Sequence, residues 1–275
     1  MHRYYPEIMP LISEGDSWFS YPLVGANLMD QLVLKFEGCI NYLRLENNGD
    51  EATEIFANHA SGQLRTLLKH VRTFQVPVVL LSAGGNDVVG ESNTDLFDHA
   101  LDASDVATLI GSAGLKDKLI QIKSSYELAI AALVAVKPDI KIIAHSYDYP
   151  IVNAAHAPIT VNSLGLIAPV VNVMKQVGPW ISPILEAKGL TDSVAQQQFA
   201  VALIDHFHDE VLMPLKNQFG DNFDFVDLRG TLELKAHNWN DEIHPSAAGF
   251  ELLANKFWLH LRPVVIDAYG EWQSI

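Results

Sequence analysis

A doubly wound α/β fold, with five parallel strands between two layers of helices, is what this sequence predicts. Three observations carry that expectation. Short β-rich apolar runs alternate with segments of helical periodicity, the pattern of repeated βαβ units. One run, Val76-Pro77-Val78-Val79-Leu80-Leu81, is almost wholly apolar, as befits a strand buried on both faces of a parallel sheet. Ser17, Gly49, Asn86 and His145 all fall just past predicted strand ends, the rim at which such sheets bind ligands.

The first strand is expected over residues 8–13, entering the loop that carries Ser17. Ala26, Leu28, Met29, Leu32, Val33 and Phe36 then recur at helical spacing. A second strand is expected over 39–45, ending in the polar loop Glu46-Asn47-Asn48-Gly49-Asp50. Cys39 in it is the sole cysteine, so no internal disulfide can form, and it reads as a buried strand residue. Leu64, Leu67, Leu68 and Val71 mark the next helix, and 76–81 is the third strand. A long helix over about 119–136, a fourth strand over 140–144 and a fifth over 223–228 follow. The closing helix, over 247–261, sets Phe250, Leu253, Phe257 and Leu261 on one side.

Two stretches are longer than plain connections. One covers about 88–118 and contains Asp95, Asp98, Asp102 and Asp105; the other covers about 151–200. No repeat, low-complexity tract or Pro/Gly/Ser-rich linker marks a boundary, so residues 1–275 read as a single domain with two insertions.

Composition narrows the function classes. A chain of 275 residues with 49% hydrophobic and 19% charged residues can bury a full core and belongs with folded proteins. Its 33 acidic and 18 basic residues give a net charge of −15, which repels phosphate backbones and anionic headgroups, so no nucleic-acid partner is expected. The start, Met1-His2-Arg3-Tyr4-Tyr5-Pro6, has no apolar signal region. The longest unbroken apolar stretch, 128–136, is far short of a membrane span. The expectation is a cytoplasmic protein with no integral membrane association. Its oligomeric state is left open.

The chemistry sits in motifs at the two ends of the chain. Gly15-Asp16-Ser17-Trp18 offers a hydroxyl, and Asp241-Glu242-Ile243-His244-Pro245 offers an imidazole with a carboxylate three residues away. A serine hydroxyl is a poor nucleophile until a base takes its proton, and the base works best when a carboxylate orients it and stabilises its cation. Asp241 and Pro245 also fit a helix start, with the aspartate as cap and the proline in the first turn. A third motif, Gly84-Gly85-Asn86-Asp87, follows the apolar third strand and supplies an amide that can hold an oxyanion, or a turn.

Laid end to end, these motifs resemble the marker blocks of the SGNH hydrolases, also called the GDSL esterase/lipase family. Gly15-Asp16-Ser17 matches the first block, with Trp18 where leucine is usual. Gly84-Gly85-Asn86-Asp87 matches the third and Asp241-Glu242-Ile243-His244-Pro245 the fifth. Asn47-Asn48-Gly49 matches the opening of the second block, but Ala52 stands where another glycine is expected. The resemblance implies the family's flavodoxin-like, three-layer α/β/α fold. It implies Ser17 as nucleophile, His244 as general base and acid, and Asp241 as its partner. It also implies an oxyanion hole from the Ser17 N–H, a glycine N–H at Gly49 and the Asn86 side chain. The alternative for Gly49 is an ordinary turn glycine. The G-x-S-x-G elbow of α/β-hydrolases is absent, because Phe19 stands where its second glycine would fall.

The expected function is therefore ester hydrolysis of a small-molecule substrate, with no cofactor and no metal. An acyltransferase would use the same residues, and a non-catalytic binding module on this fold is the rival from another class. Substrate contacts are expected from Trp18 and Trp239, or else core packing, and from His145, or else polar support. Trp180 belongs to an apolar series with Val170, Val173, Met174, Val177, Ile181, Ile184 and Leu185, which either packs on the core or caps a hydrophobic pocket. His206 and His208 are two apart on a helical pattern and face different ways, a poor metal pair. Asp16 is expected to accept local backbone hydrogen bonds.

Overall fold

The computed structural model describes residues 7–21, 27–36, 38, 40–56, 62–152 and 179–274. Ala26, Cys39, Val170, Val173, Met174 and Val177 lie outside those residues. The apolar runs become strands β1 (Met9–Gly15), β2 (Ile40–Arg44), β3 (Val78–Ser82), β4 (Lys141–His145) and β5 (Phe223–Val226). All pair in parallel, in the order β2-β1-β3-β4-β5. Every residue of β1 and β3 is buried, which is why their sequences lack an exposed polar alternation.

Helices α1 (Ser17–Ser20) and α2 (Leu28–Val33) join β1 to β2, and α3 (Ala52–Ile55) with α4 (Gly62–Phe74) join β2 to β3. A 3₁₀ turn (Glu91–Leu96), α5 (Val106–Gly111) and α6 (Ala113–Val136) lead to β4. Right-handed crossovers on this strand order put α2 on one face and α4 and α6 on the other. The closing helix, α10 in chain order (Ala247–Ser274), returns to pack on α2. Helices therefore cover both sides of the sheet, the three-layer architecture the alternation predicts.

The insertions hold more regular structure than loops would. Between 88 and 118 lie the 3₁₀ turn, α5 and the first turn of α6, which begins six residues before the expected start. Asp105 caps α5 by accepting from the Thr108 N–H, and Asp102 accepts from Ser104, so these acids serve turns and a cap. From 182 onward come α7 (Ser182–Ala187) and α8 (Ser193–Phe207), which runs through a π-helical turn (His208–Leu212) into α9 (Met213–Phe219). Pro214 near the start of α9 lacks an N–H to give, and the widened turn lies just before it. α10 outruns its predicted end at 261 because Val265, Ala268 and Trp272 continue the buried stripe past Pro263.

Among the described residues, α6 is the one helix long and apolar enough to cross a membrane. Leu115, Leu119, Ile122, Tyr126 and Ile130 are buried along it in the common core, so it is a core helix.

Candidate active site

β1 ends at Gly15, and its last residue meets Ser82 of β3 in register. A Cβ at Gly15 would come within 2.0 Å of the Ser82 carbonyl oxygen, and the φ of +148° is strained for any side chain. Glycine here lets the chain leave the sheet edge sharply and start α1 at Ser17. Asp16 caps that short helix, accepting from the Trp18 N–H at 3.0 Å. As the first residue of α1, Ser17 has a backbone N–H with no carbonyl inside the helix to receive it.

The second half of the site is a tight loop after β5. Trp239 and Pro245 form an isolated antiparallel bridge, and the Asn240 N–H donates to the His244 carbonyl at 2.8 Å. Inside this loop Asp241 accepts from the backbone N–H groups of Ile243 and His244, at 2.9 and 2.8 Å. The alternative of a helix cap at Asp241 does not hold, because α10 starts at Ala247 and the Gly249 N–H donates to the Ser246 hydroxyl. The Asp241 oxygens also lie 3.0 and 2.8 Å from His244 Nδ1. Asp241 is fully buried. Burial alone would raise its pKa, yet the His244 charge and three hydrogen bonds more than offset this and hold the carboxyl below its ordinary value. An ionised Asp241 fixes the proton on Nδ1 and turns the Nε2 lone pair outward. Nε2 lies 2.7 Å from Ser17 Oγ.

Tyr21 and Trp18 lock the two halves together. The Tyr21 ring stacks on the His244 imidazole at 4.3 Å between centroids, with its hydroxyl 3.4 Å from Asp241 Oδ2. Trp18 donates its indole N–H to the Ile243 carbonyl at 3.0 Å. That hydrogen bond, impossible for leucine, gives the departure at Trp18 a physical use.

The loop after β3 completes the rim. Tyr126 of α6 grips Ala83, accepting from its N–H and donating to its carbonyl. Asn86 gives one amide hydrogen to the Asp50 carbonyl at 2.9 Å, which ties this loop to the Gly49 turn, and its side chain lines the same cavities as Ser17. Gly49 sits at φ +83° on the wall shared with Ser17 and His244. Asp87 is buried and accepts from Ala52 and Thr53, so it caps α3.

Beneath the serine lies a closed ring of hydrogen bonds. The Tyr147 N–H donates to His145 Nδ1 at 3.1 Å, so Nε2 carries the proton and donates to Ser82 Oγ at 2.8 Å. Ser82 in turn donates to Asp16 Oδ1 at 2.6 Å, and the Tyr147 hydroxyl donates to Asp16 Oδ2 at 2.5 Å. The same hydroxyl accepts from the Gly85 N–H at 3.2 Å. Burial pushes Asp16 up to about 6, against the hydrogen bonds that pull it down, and pushes His145 down to about 3. Tyr147 holds this place at φ +63°, a backbone that aromatic residues seldom adopt.

Ser17, Asp241 and His244 thus converge from opposite ends of the chain, with Asn86 and Gly49 beside them. Trp180 lies over the same cavity, 6.1 Å from the His244 ring and edge-on to it. His145 and Trp239 do not meet the expectation of substrate contact: each is at most 4% exposed and neither lines the cavities at Ser17. His145 is turned under the rim by its bond to Ser82, and Trp239 is packed into the core. Trp18 is core too, although it reaches one cavity wall. His206 and His208 pair separately with Glu210 and Asp209. Among the described residues no group of three His, Cys, Asp or Glu could hold a metal ion.

Sequence reasoning missed Tyr21, Ser82, Tyr147 and Glu242. The Glu242 carboxylate accepts from the Trp180 and Ile181 N–H groups, both at 2.6 Å, and from Ser182 at 3.3 Å. Its carbonyl accepts from Ile151. An acid between Asp241 and His244 was visible in the motif, but its partners were not.

No protein-family model matches the chain, and no curated protein matches it by sequence. Solved structures do. The lipase Lip_vut3 from a goat rumen metagenome is 13% identical, with a TM-score of 0.56, over 91% of this chain and 96% of that one. A family 3 carbohydrate esterase of Clostridium thermocellum is 15% identical, with a TM-score of 0.50, over 96% and 100%. A mutant acetyl esterase with acetate ion is 14% identical, with a TM-score of 0.50, over 94% and 99%. At such identities the likeness is one of fold: this chain has the three-layer α/β/α fold, with a five-stranded parallel sheet, of these lipase and esterase structures.

Proposed function

We propose that this protein is a serine ester hydrolase working without a cofactor. One observation carries the reading: Ser17 Oγ lies 2.7 Å from His244 Nε2, whose Nδ1 lies 2.8 Å from the buried Asp241. In this mechanism Ser17 attacks the ester carbonyl while its proton passes to His244. Asp241 stabilises the imidazolium that results. The oxyanion of the tetrahedral intermediate meets the Ser17 N–H, the Gly49 N–H and the Asn86 amide, donors fixed in place before the charge develops. His244 then gives its proton to the leaving alcohol. A water, deprotonated by the same imidazole, releases the acid and restores Ser17.

Ser17→Ala should abolish both ester turnover and labelling by a fluorophosphonate while the melting temperature stays close to wild type. Turnover at a comparable rate in the purified variant would remove Ser17 from the mechanism.

A further inference from the structure

Ser17 stands on the wall between two cavities of different chemistry, and Asn86 and Ile243 also line both. The more polar one is lined by His244, Tyr21, Asn48, Gly49 and Trp180. The second, more apolar cavity has a different lining, in which His244 takes no part. Its apolar walls are Val88 and Val89 after β3, Leu119 of α6, Leu203 and Phe207 of α8, and Ile181. None of the described residues lining it is Lys, Arg or His. Its two carboxylates are engaged elsewhere: Asp16 with Tyr147 and Ser82, and Asp148 with the N–H groups of Tyr149 and Leu232.

We propose that the more apolar cavity receives the acyl chain, and that the protein prefers medium-length aliphatic acyl groups to acetyl. This rests on the ester-hydrolase reading and follows from the path of one proton. As Ser17 Oγ bonds to the acyl carbon, its proton moves to His244 Nε2. The same proton goes to the alkoxy oxygen as the bond between that oxygen and the acyl carbon breaks. The alcohol therefore leaves beside His244, into the more polar cavity that this imidazole lines. The carbonyl oxygen is held at Asn86. The remaining substituent on the acyl carbon, its alkyl chain, is directed to the cavity that no imidazole lines. There it meets Val88, Leu119, Leu203 and Phe207. An acidic acyl group would find no cation in that cavity.

The test is the rate profile on p-nitrophenyl acetate, butanoate, hexanoate and octanoate. Burying each methylene should raise kcat/KM roughly fourfold, so hexanoate should exceed acetate by about 10². Ile204 of α8 lines the same cavity and is half-buried. Ile204→Trp should fill it and cut the hexanoate-to-acetate ratio at least tenfold. Val89→Phe does the same from the facing loop, should the first variant not fold, as judged by cooperative melting. A wild-type profile that is flat or falls beyond acetate would overturn the proposal, as would a ratio unmoved by either folded variant. If Ser17 labels with a fluorophosphonate and acetate turns over while the profile is flat, only this inference fails. If Ser17 neither labels nor turns over any ester, the hydrolase reading fails and takes this inference with it.

Discussion

Replacing Tyr147 with phenylalanine removes one oxygen atom and unties two loops. That hydroxyl donates to Asp16 in the loop before Ser17 and accepts from Gly85 in the loop before Asn86. With phenylalanine in place, a buried carboxyl and a backbone N–H each lose a partner. Leaving a buried polar group unsatisfied costs about 1–3 kcal/mol, more for a charge, so the variant should be about 2–4 kcal/mol less stable. At this chain length that is a fall in melting temperature of roughly 5–12 °C.

The loss should also depend on pH. Asp16 sits at about 6 in the folded protein against an ordinary 3.8, because burial disfavours its charge. A raised carboxyl contributes stability that is complete below the unfolded value and disappears as pH rises through the folded one. The tyrosine hydroxyl serves the ionised form, so removing it moves Asp16 further up and widens the gap to wild type between pH 5 and pH 8. Urea unfolding at both pH values reads the gap directly. Because Gly85 precedes Asn86, kcat should drop by about 10–10² with KM nearly unchanged. A stability gap under 1 kcal/mol, or one equal at both pH values, would refute the bridging role.

Further outcomes follow from single contacts. Glu14 is buried in β1 with one oxygen unpartnered among the described residues and is pushed from 4.5 to about 8 by burial, so the stability this group contributes is present below 4.5 and lost as pH rises through 8. Glu14→Gln keeps an acceptor for Gly15 and should remove a decline of up to about 1.4 kcal/mol per pH unit between pH 6 and 8, read by urea unfolding; an unchanged slope would place the titration elsewhere. Asn86→Ala should lower kcat by roughly 10²–10³ with little change in KM; a loss wholly in KM would make Asn86 a substrate-positioning group. Glu242→Ala should cost about 3 kcal/mol and lower kcat as well, because it frees backbone N–H groups and loosens the loop that carries His244; lost stability with kcat intact would separate the two.

Much of the fold was legible because its signals are local. The run Val78–Ser82 is apolar throughout and buried throughout, and the helical stripes of α4 and α6 point inward where the spacing says they should. Boundaries failed where packing overrode a local signal. Pro263 should end α10, yet Val265, Ala268 and Trp272 bury a further stripe and carry the helix on. The convergence of Ser17 with His244 is a contact between residues 227 apart, foreshadowed only by their motifs. The ring under the site had no such signature. Tyr147 reaches Asp16 through a left-handed backbone that sequence rules would deny an aromatic residue, and the side to which His145 turns is set by Ser82 on another strand.

Ser17, Asp241 and His244 owe their alignment to contacts outside the three residues themselves. Ser17 hangs from Gly15 at the end of β1, while His244 lies in a loop between β5 and α10 that a single backbone bridge, Trp239 to Pro245, closes. Trp18 holds the Ile243 carbonyl, Tyr21 lies flat on the imidazole, and Glu242 binds three N–H groups of residues 180–182. Those three contacts hold the loop around His244, the residue that both accepts and returns a proton in the proposed mechanism. In that mechanism a histidine that swings by about 1 Å loses the in-line transfer on which the rate depends. Judged by stability alone, burying so many polar groups is costly. They fit a site whose geometry has to be held before the substrate arrives.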